Sequence, residues 1–329
     1  MELHKQLKIS FWIALSVWVI WLFALGAEQA FAYVSDNWRV TLTMVFGSLV
    51  AGATSEGGGA IAFPIFTKVL HVEPSNAKMF ALAIQSIGMT AASLMIILMR
   101  IKVEWHVILW ASMGGVVGML IGANLLAPYV PADVIKMTFT ILASSFALVL
   151  LIINRKDRRC HQKIPIIGSR ERQLLLAGGM LGGVLSSLVG TGIDILIFSM
   201  LVLLFRVNEK VATPTSVILM AINSIVGLFV FGGLLGQMNE LVFSYWMAAI
   251  PVVVVGAPLG AIICSHMSRK MISSFLIGLI SIELISSLII IPMRETVVIF
   301  SIFTLVTCLS IYLMMLRSQR YVNVISTAD

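Results

Sequence analysis

Charged side chains are scarce in this chain: 22 Lys and Arg with 15 Asp and Glu make up 11% of 329 residues. No polar stretch is long enough to fold as a separate soluble domain, which weakens any reading as a sensor or scaffold with a soluble output module. Cysteine is rarer still, and Cys160, Cys264 and Cys308 show neither CxxC nor zinc-type spacing, so no disulfide is expected. The histidines His4, His71, His106, His161 and His266 fall in loops or at span ends, without HExxH or other clustered ligand spacing. "LVGTGID" (188–194) carries only a fragment of a dinucleotide glycine pattern and lies in no βαβ context. Neither an enzyme nor a metal or cofactor is expected.

Apolar residues fill the space left by charge. They make up 59% of the chain, against ~45–50% in a soluble domain, and mean hydropathy is +1.03. Apolar runs able to cross a ~30 Å hydrocarbon core recur along the whole length, so the chain reads as one membrane domain spanning 1–329. Eight spans are expected at about 9–32, 77–99, 105–127, 133–153, 212–234, 240–264, 271–291 and 296–316. Two further segments, 38–70 and 173–206, are each broken by glycine near the middle. One helix over 39–70 would be about 48 Å long, too long for one crossing and too short for two. A re-entrant hairpin of two half-helices fits each better.

The net charge of +7 reflects Lys and Arg gathered in cytoplasmic loops rather than a nucleic-acid surface. With the N-terminus inside, the basic residues around positions 5–8, 100–102, 155–172, 206–210, 269–270 and 317–320 fall on one face. Arg39, Lys68, Lys78, Lys136 and Arg294 are left on the other. That bias places both termini in the cytoplasm. The first segment has an alternative, because "AFA" (30–32) resembles a signal-peptidase site, and cleavage there would leave the new N-terminus outside. Its apolar run, 9–26, is longer than the ~7–15 residues of a usual leader, so a retained helix is the reading taken.

A shift of 138 residues aligns "AIQSI" (83–87) with "AINSI" (221–225) and "VVGMLIGA" (116–123) with "VVGAPLGA" (254–261), without a gap. Repeat one then covers about 38–153 and repeat two about 173–291, with a cytoplasmic linker over 154–172 and extra helices at 9–32 and 296–316. Three crossings separate the hairpins, so the copies are expected to be inverted in the membrane, as in many secondary transporters. The fold class expected is an all-α polytopic membrane protein: an inverted repeat of about eight transmembrane helices plus two re-entrant, glycine-broken helical hairpins. Gly118/Gly122 and Gly256/Gly260 are small-xxx-small pairs suited to close helix packing.

The same shift lays Gly52 on Gly190, Glu56 on Asp194, Gln85 on Asn223 and Ser86 on Ser224. In "GATSEGGGAIAFP" (52–64), Gly57, Gly58 and Gly59 break the helix at bilayer depth, where bare backbone is tolerated only against protein or a water-filled cavity. The half-helix after the break begins near Ala60, and its N–H groups form a positive dipole end suited to an anion. Gly190, Thr191 and Gly192 offer the second copy, with a half-helix expected from about Ile195. Glu56 and Asp194 serve either as helix caps or as proton-coupling groups, and both readings stay open. Gln85, Ser86, Asn223 and Ser224 are candidate substrate ligands, though hydrogen bonding between helices explains them equally well. Lys68 and Arg206 end the returning half-helices, where dipole placement and snorkelling account for them more simply than the alternative, substrate binding.

These features resemble the TauE/SafE sulfite-exporter family, also called the 4-toluene sulfonate uptake permease family. The resemblance rests on the glycine break followed by Pro64, on "GGVLSSLVGTGID" (182–194) and on "ATPTS" (212–216), and covers about 40–291. The second copy departs by lacking the glycine triplet and by carrying Val202 where the first has Pro64. The resemblance implies a bacterial inner-membrane secondary carrier of sulfite, organosulfonates or related small anions, with proton coupling open. An anion channel on the same fold is the alternative. The partners expected are a small anionic substrate and membrane lipid, with homo-oligomerisation left open and no nucleic acid.

Overall fold

The computed structural model describes residues 3–55, 65–70, 72–127, 129–154 and 160–317. Among them the structure is almost wholly helical, and nine helices are long and apolar enough to cross a membrane. This is a polytopic membrane protein. Apolar side chains such as Phe23, Phe229, Ile299 and Phe303 stand exposed, as lipid-facing surfaces should.

The chain opens with α1 (Leu3–Leu25) and α2 (Ala27–Asp36), separated by Gly26 at φ 78°. A positive φ suits only glycine without strain, so the span expected over 9–32 is two helices meeting at a bend. Then come α3 (Trp38–Ala53), a π-helical turn at Ile65–Val69, and α4 (Pro74–Leu98). The first glycine break, with Glu56, Gly57, Gly58, Gly59, Ala60 and Pro64, lies outside the described residues. Next are α5 (Trp105–Ile121), α6 (Ala132–Asn154), α7 (Ser169–Val189) and the short α8 (Ile193–Ser199). A π-helical turn, Met200–Leu204, prolongs α8. The series closes with α9 (Glu209–Gly227), α10 (Glu240–His266), α11 (Arg269–Ile290) and α12 (Glu295–Arg317).

The helix starts follow local chemistry. Asn208 Oδ1 accepts from the Lys210 N–H at 3.0 Å, Asn239 Oδ1 from Val242 N–H at 2.9 Å, and Ser268 Oγ from Met271 N–H at 3.2 Å. Each relieves a backbone donor that a helix start leaves open. The second glycine-broken segment divides unequally: α7 has 21 residues, enough to cross a membrane, while α8 with its π turn has 12. One arm is therefore a full-length helix rather than a half-helix.

Two helix pairs make the tightest contacts, α5 with α7 and α3 with α10. Glycine allows both. A Cβ on Gly118 would overlap the Met180 carbonyl oxygen, one on Gly183 the Gly115 carbonyl, and one on Gly179 the Ala111 carbonyl. At the other pair, a Cβ on Gly52 would overlap the Ala257 carbonyl, one on Gly260 the Leu49 carbonyl, and one on Gly256 the Ser48 hydroxyl. The small-residue pairs read from the sequence are thus packing surfaces, as such motifs are between membrane helices. Between the two pairs, α4 lies against both α9 and α10.

α1 is fastened to α10 through a defect that proline makes. Pro251 has no N–H, so the Met247 carbonyl four residues earlier loses its helical donor. The Trp21 indole N–H donates to that carbonyl at 3.1 Å, and the Trp18 indole to the Pro251 carbonyl at 2.9 Å. Thr41 of α3 adds a hydroxyl bond to the neighbouring Ala248 carbonyl at 3.1 Å.

The segment after α6 also docks. His161 N–H donates to the Arg206 carbonyl at 2.8 Å, and Asn208 N–H donates back to the His161 carbonyl at 2.9 Å. Beside it Glu104 is buried, its backbone N–H donating to Thr215 Oγ1 at 3.0 Å. Burial pushes the Glu104 carboxyl above its ordinary value, against the pull of the Ile164 N–H and of His106 and Lys163.

Candidate functional site

The second break is built by three residues. Gly190 ends α7 at φ 89°, Thr191 follows, and Gly192 at φ 138° turns the chain into α8, which starts at Ile193. No side chain fits comfortably at either glycine. A Cβ on Gly190 would come within 2.9 Å of both the Lys78 carbonyl and the Ala81 Cβ, and each φ lies where L-residues are strained. The break is thus pressed against the first turns of α4.

Asp194 sits one residue inside α8 and is buried, 1% exposed. Its Oδ1 accepts from the Gly192 and Ile195 backbone N–H groups, each at 3.0 Å, and the Thr191 hydroxyl donates to the carboxylate at 3.2–3.3 Å. The Ile193 N–H donates to Ser186 Oγ at 3.1 Å. Donors that the sequence reading reserves for an anion are therefore engaged by the protein's own Asp194 and Ser186. Asp194 closes the start of α8 as a cap would, with the carboxylate in the position a bound anion would take.

Gln85 joins the break to α4. Its Nε2 donates to the Gly190 carbonyl at 3.0 Å and to the Ala81 carbonyl at 2.9 Å, leaving Oε1 with no hydrogen-bond partner among the described residues. Its repeat mate Asn223 is 3% exposed and has neither amide atom paired among those residues. Asn223 lies close to α8, since a Cβ on Gly115 would stand 3.1 Å from Asn223 Oδ1 and 2.6 Å from Ile193 Cδ1. Ser224 is fully buried with its hydroxyl unpaired among the described residues, whereas Ser86 donates to the Ala83 carbonyl at 2.7 Å. Buried polar atoms without partners are uncommon, and a group of them calls for a ligand, a water or an ion. Gln85, Asn223 and Asp194 converge on the second break. Ser86 is used within its own helix.

Two cavities flank opposite ends of α4. One, about 210 Å³, is lined by Ile96, Lys102, Lys210, Thr213, Cys264 and Gly52 among others, and so reaches the last turn of α3. The other, about 200 Å³, is lined by Glu73, Pro74, Ser75, Lys78, Ala127 and Leu188 among others, and so reaches the end of α7 beside the second break. An offset of 138 residues lays Val211 and Thr213 of the first on Glu73 and Ser75 of the second.

Lys78 and Glu283 are among the buried charged residues that escape a reading by pattern. Lys78 is 6% exposed, with its Nζ 3.9 Å from the Phe231 ring centroid. Glu283 of α11 accepts from the Thr140 hydroxyl of α6 at 3.1 Å, and Thr140 shares a 2.9 Å hydrogen bond with Ser287. A lone acid inside an apolar span was the available signal for Glu283. Arg206 is occupied elsewhere, donating to the Leu316 carbonyl at 2.7 Å.

The family model of the sulfite exporter TauE/SafE matches residues 4–142 and 40–287 of this chain. No curated protein and no solved structure matches.

Proposed function

Because the chain belongs to the sulfite exporter TauE/SafE family, we propose that it is a secondary transporter of small anions. Sulfite, organosulfonates and related sulfur-containing or carboxylate anions are the substrate class, carried by alternating access between two inverted repeats. The carrying observation is the second break, whose backbone donors are held by a buried carboxylate. A carboxylate and a substrate anion cannot occupy the same donors. Protonation of Asp194 weakens its hold on the Gly192 and Ile195 N–H groups and removes the charge that repels the anion. Proton and anion then bind together and leave together, which is the requirement for coupling. Gln85 and Asn223 supply amide groups alongside, and Glu56 with Gly57, Gly58, Gly59 and Ala60 form the corresponding site in the first copy.

The exchanged pairing of α3 with α10 and α5 with α7 supports the repeat, since a shift of 138 turns one pair into the other. The two cavities support alternating access, one at each end of α4, touching Gly52 of α3 and Leu188 of α7 respectively. Gln85, Asn223, Ser224 and Asp194 are all at most 3% exposed, as a centre closed from both faces requires.

Asp194→Asn and Glu56→Gln in proteoliposomes test the coupling. A coupling carboxylate loses pH-driven accumulation of sulfite while retaining much of the counterflow, which needs no net proton movement. Accumulation kept by both variants would reduce the carboxylates to caps. Conductance without saturation or counterflow would make the protein a channel.

A further inference from the structure

We infer that Lys78 is an anion-binding residue at the mouth opposite the cytoplasmic loops, supplying the charge that receives the substrate before it reaches the second break. The inference rests on the carrier reading and adds to it a residue and an order of contact.

Lys78 stands in the first turns of α4, 6% exposed, and lines the cavity that also touches Leu188. Among the described residues its ammonium has no hydrogen bond and no carboxylate within ion-pair distance; Lys136 and Asp133, at the start of α6, do pair, at 3.9 Å. Glu73 lines the same cavity but is exposed and forms no ion pair with Lys78. The contact Lys78 does make is with the face of Phe231, at 3.9 Å. A single cation–π contact recovers less than the burial of an ammonium in a membrane protein costs. Buried charges are ordinarily paired, so a counter-ion is the missing part. The cavity, about 200 Å³, has room for a small oxyanion with water.

Position connects this charge to the break. A Cβ on Gly190 would stand 2.9 Å from the Lys78 carbonyl, so the α4 backbone at Lys78 touches the chain where α7 ends. Seven residues further along α4, on the same helix face and about 10 Å up the axis, Gln85 donates to the Gly190 carbonyl. Lys78 and Gln85 thus touch the same glycine from one face of α4, with the apolar Ala81 and Leu82 between them. The repeat-related cavity carries lysines of its own, Lys102 and Lys210, but both are exposed and act as a general positive field rather than as a desolvated partner.

The test compares Lys78→Met, Lys78→Arg and Phe231→Leu with the native protein in proteoliposomes of verified orientation. Sulfite counterflow is measured from each side, and sulfite-dependent thermal stabilisation in parallel. Lys78→Met should raise the half-saturating sulfite concentration on the side of this cavity by about 10- to 100-fold, the range for loss of one charge-assisted hydrogen bond. The opposite side should change less, and Lys78→Arg should recover much of the loss. Phe231→Leu keeps the charge and should keep the sulfite dependence while lowering thermal stability. Native half-saturation in a folded Lys78→Met overturns the assignment and leaves the carrier reading intact. Loss of stability without change in sulfite response, in both Lys78→Met and Phe231→Leu, makes the lysine a packing residue and also overturns it. No sulfite counterflow or stabilisation in the native protein defeats both readings together.

Discussion

Replacing Trp21 by Phe removes one hydrogen bond and leaves a ring in place. The Met247 carbonyl, 3.1 Å from the indole nitrogen, would then have no donor, because residue 251 is proline. Hydrogen bonds between membrane helices are worth ~0.6 kcal/mol on average and up to ~1.7 kcal/mol in double-mutant cycles. Trp21 is 7% exposed and serves a carbonyl that cannot be satisfied within its own helix, so the expected loss lies near the top of that range, ~1–1.7 kcal/mol. Pro251→Ala restores the backbone N–H that closes the bond to Met247. In that background Trp21→Phe should cost less, giving a coupling energy of ~1 kcal/mol between two residues 230 positions apart. The Trp18 bond to the carbonyl of residue 251 survives the exchange and does not confound the cycle. Four proteins, native, two singles and the double, are compared by equilibrium unfolding in mixed micelles. Strict additivity would show that the indole does not compensate for the proline.

Glu104 gives a pH prediction. Its folded pKa is raised from 4.5, chiefly by burial, so the folded state favours the protonated form. Its stabilising contribution is present below about 4.5 and is lost as pH rises through the raised value. Thermal melts of Glu104→Gln and native protein should therefore coincide at low pH and diverge in favour of the variant above it; a constant offset refutes the assignment. Gly183→Leu should block assembly of the α5–α7 pair, because the side chain would enter the Gly115 carbonyl, whereas Gly278→Leu, with nothing within 4 Å, should assemble normally. Size-exclusion profiles of the two variants decide this, and a monodisperse Gly183→Leu would contradict the packing. A cysteine placed at Pro74 should react with an impermeant thiol reagent from outside the cell and native Cys160 only from inside. Reversed labelling would invert the topology drawn from the basic residues.

Much of this architecture is written in one dimension. The long apolar helices follow from run length, and the second break from Gly190 and Gly192, because both signals are local. Gly118, Gly122, Gly256 and Gly260 announced close approach, but their partners on α7 and α3 were not legible, since a small-residue motif does not say which helix it meets. The sequence marks Asp194 as a cap or a proton carrier, and its two backbone hydrogen bonds came with the geometry of the turn. Lys78 was harder. A lysine near the end of a span ordinarily snorkels to the interface, and its contact with Phe231, more than 150 residues later, is visible only in three dimensions.

The pairing of α3 with α10 and of α5 with α7 has a consequence for how the protein is made. α3 enters the bilayer early, yet the surface that receives Gly52 is the Ala257 carbonyl on α10, about 200 residues later. At ~5–20 residues per second of synthesis, the small-residue face of α3 waits ~10–40 s for its partner. For α7 the order is reversed: the Gly115 and Ala111 carbonyls are already in place when Gly179 and Gly183 emerge. The two helix pairs therefore face different hazards at birth. The first must be kept from pairing with unrelated helices, and the second docks onto a finished surface.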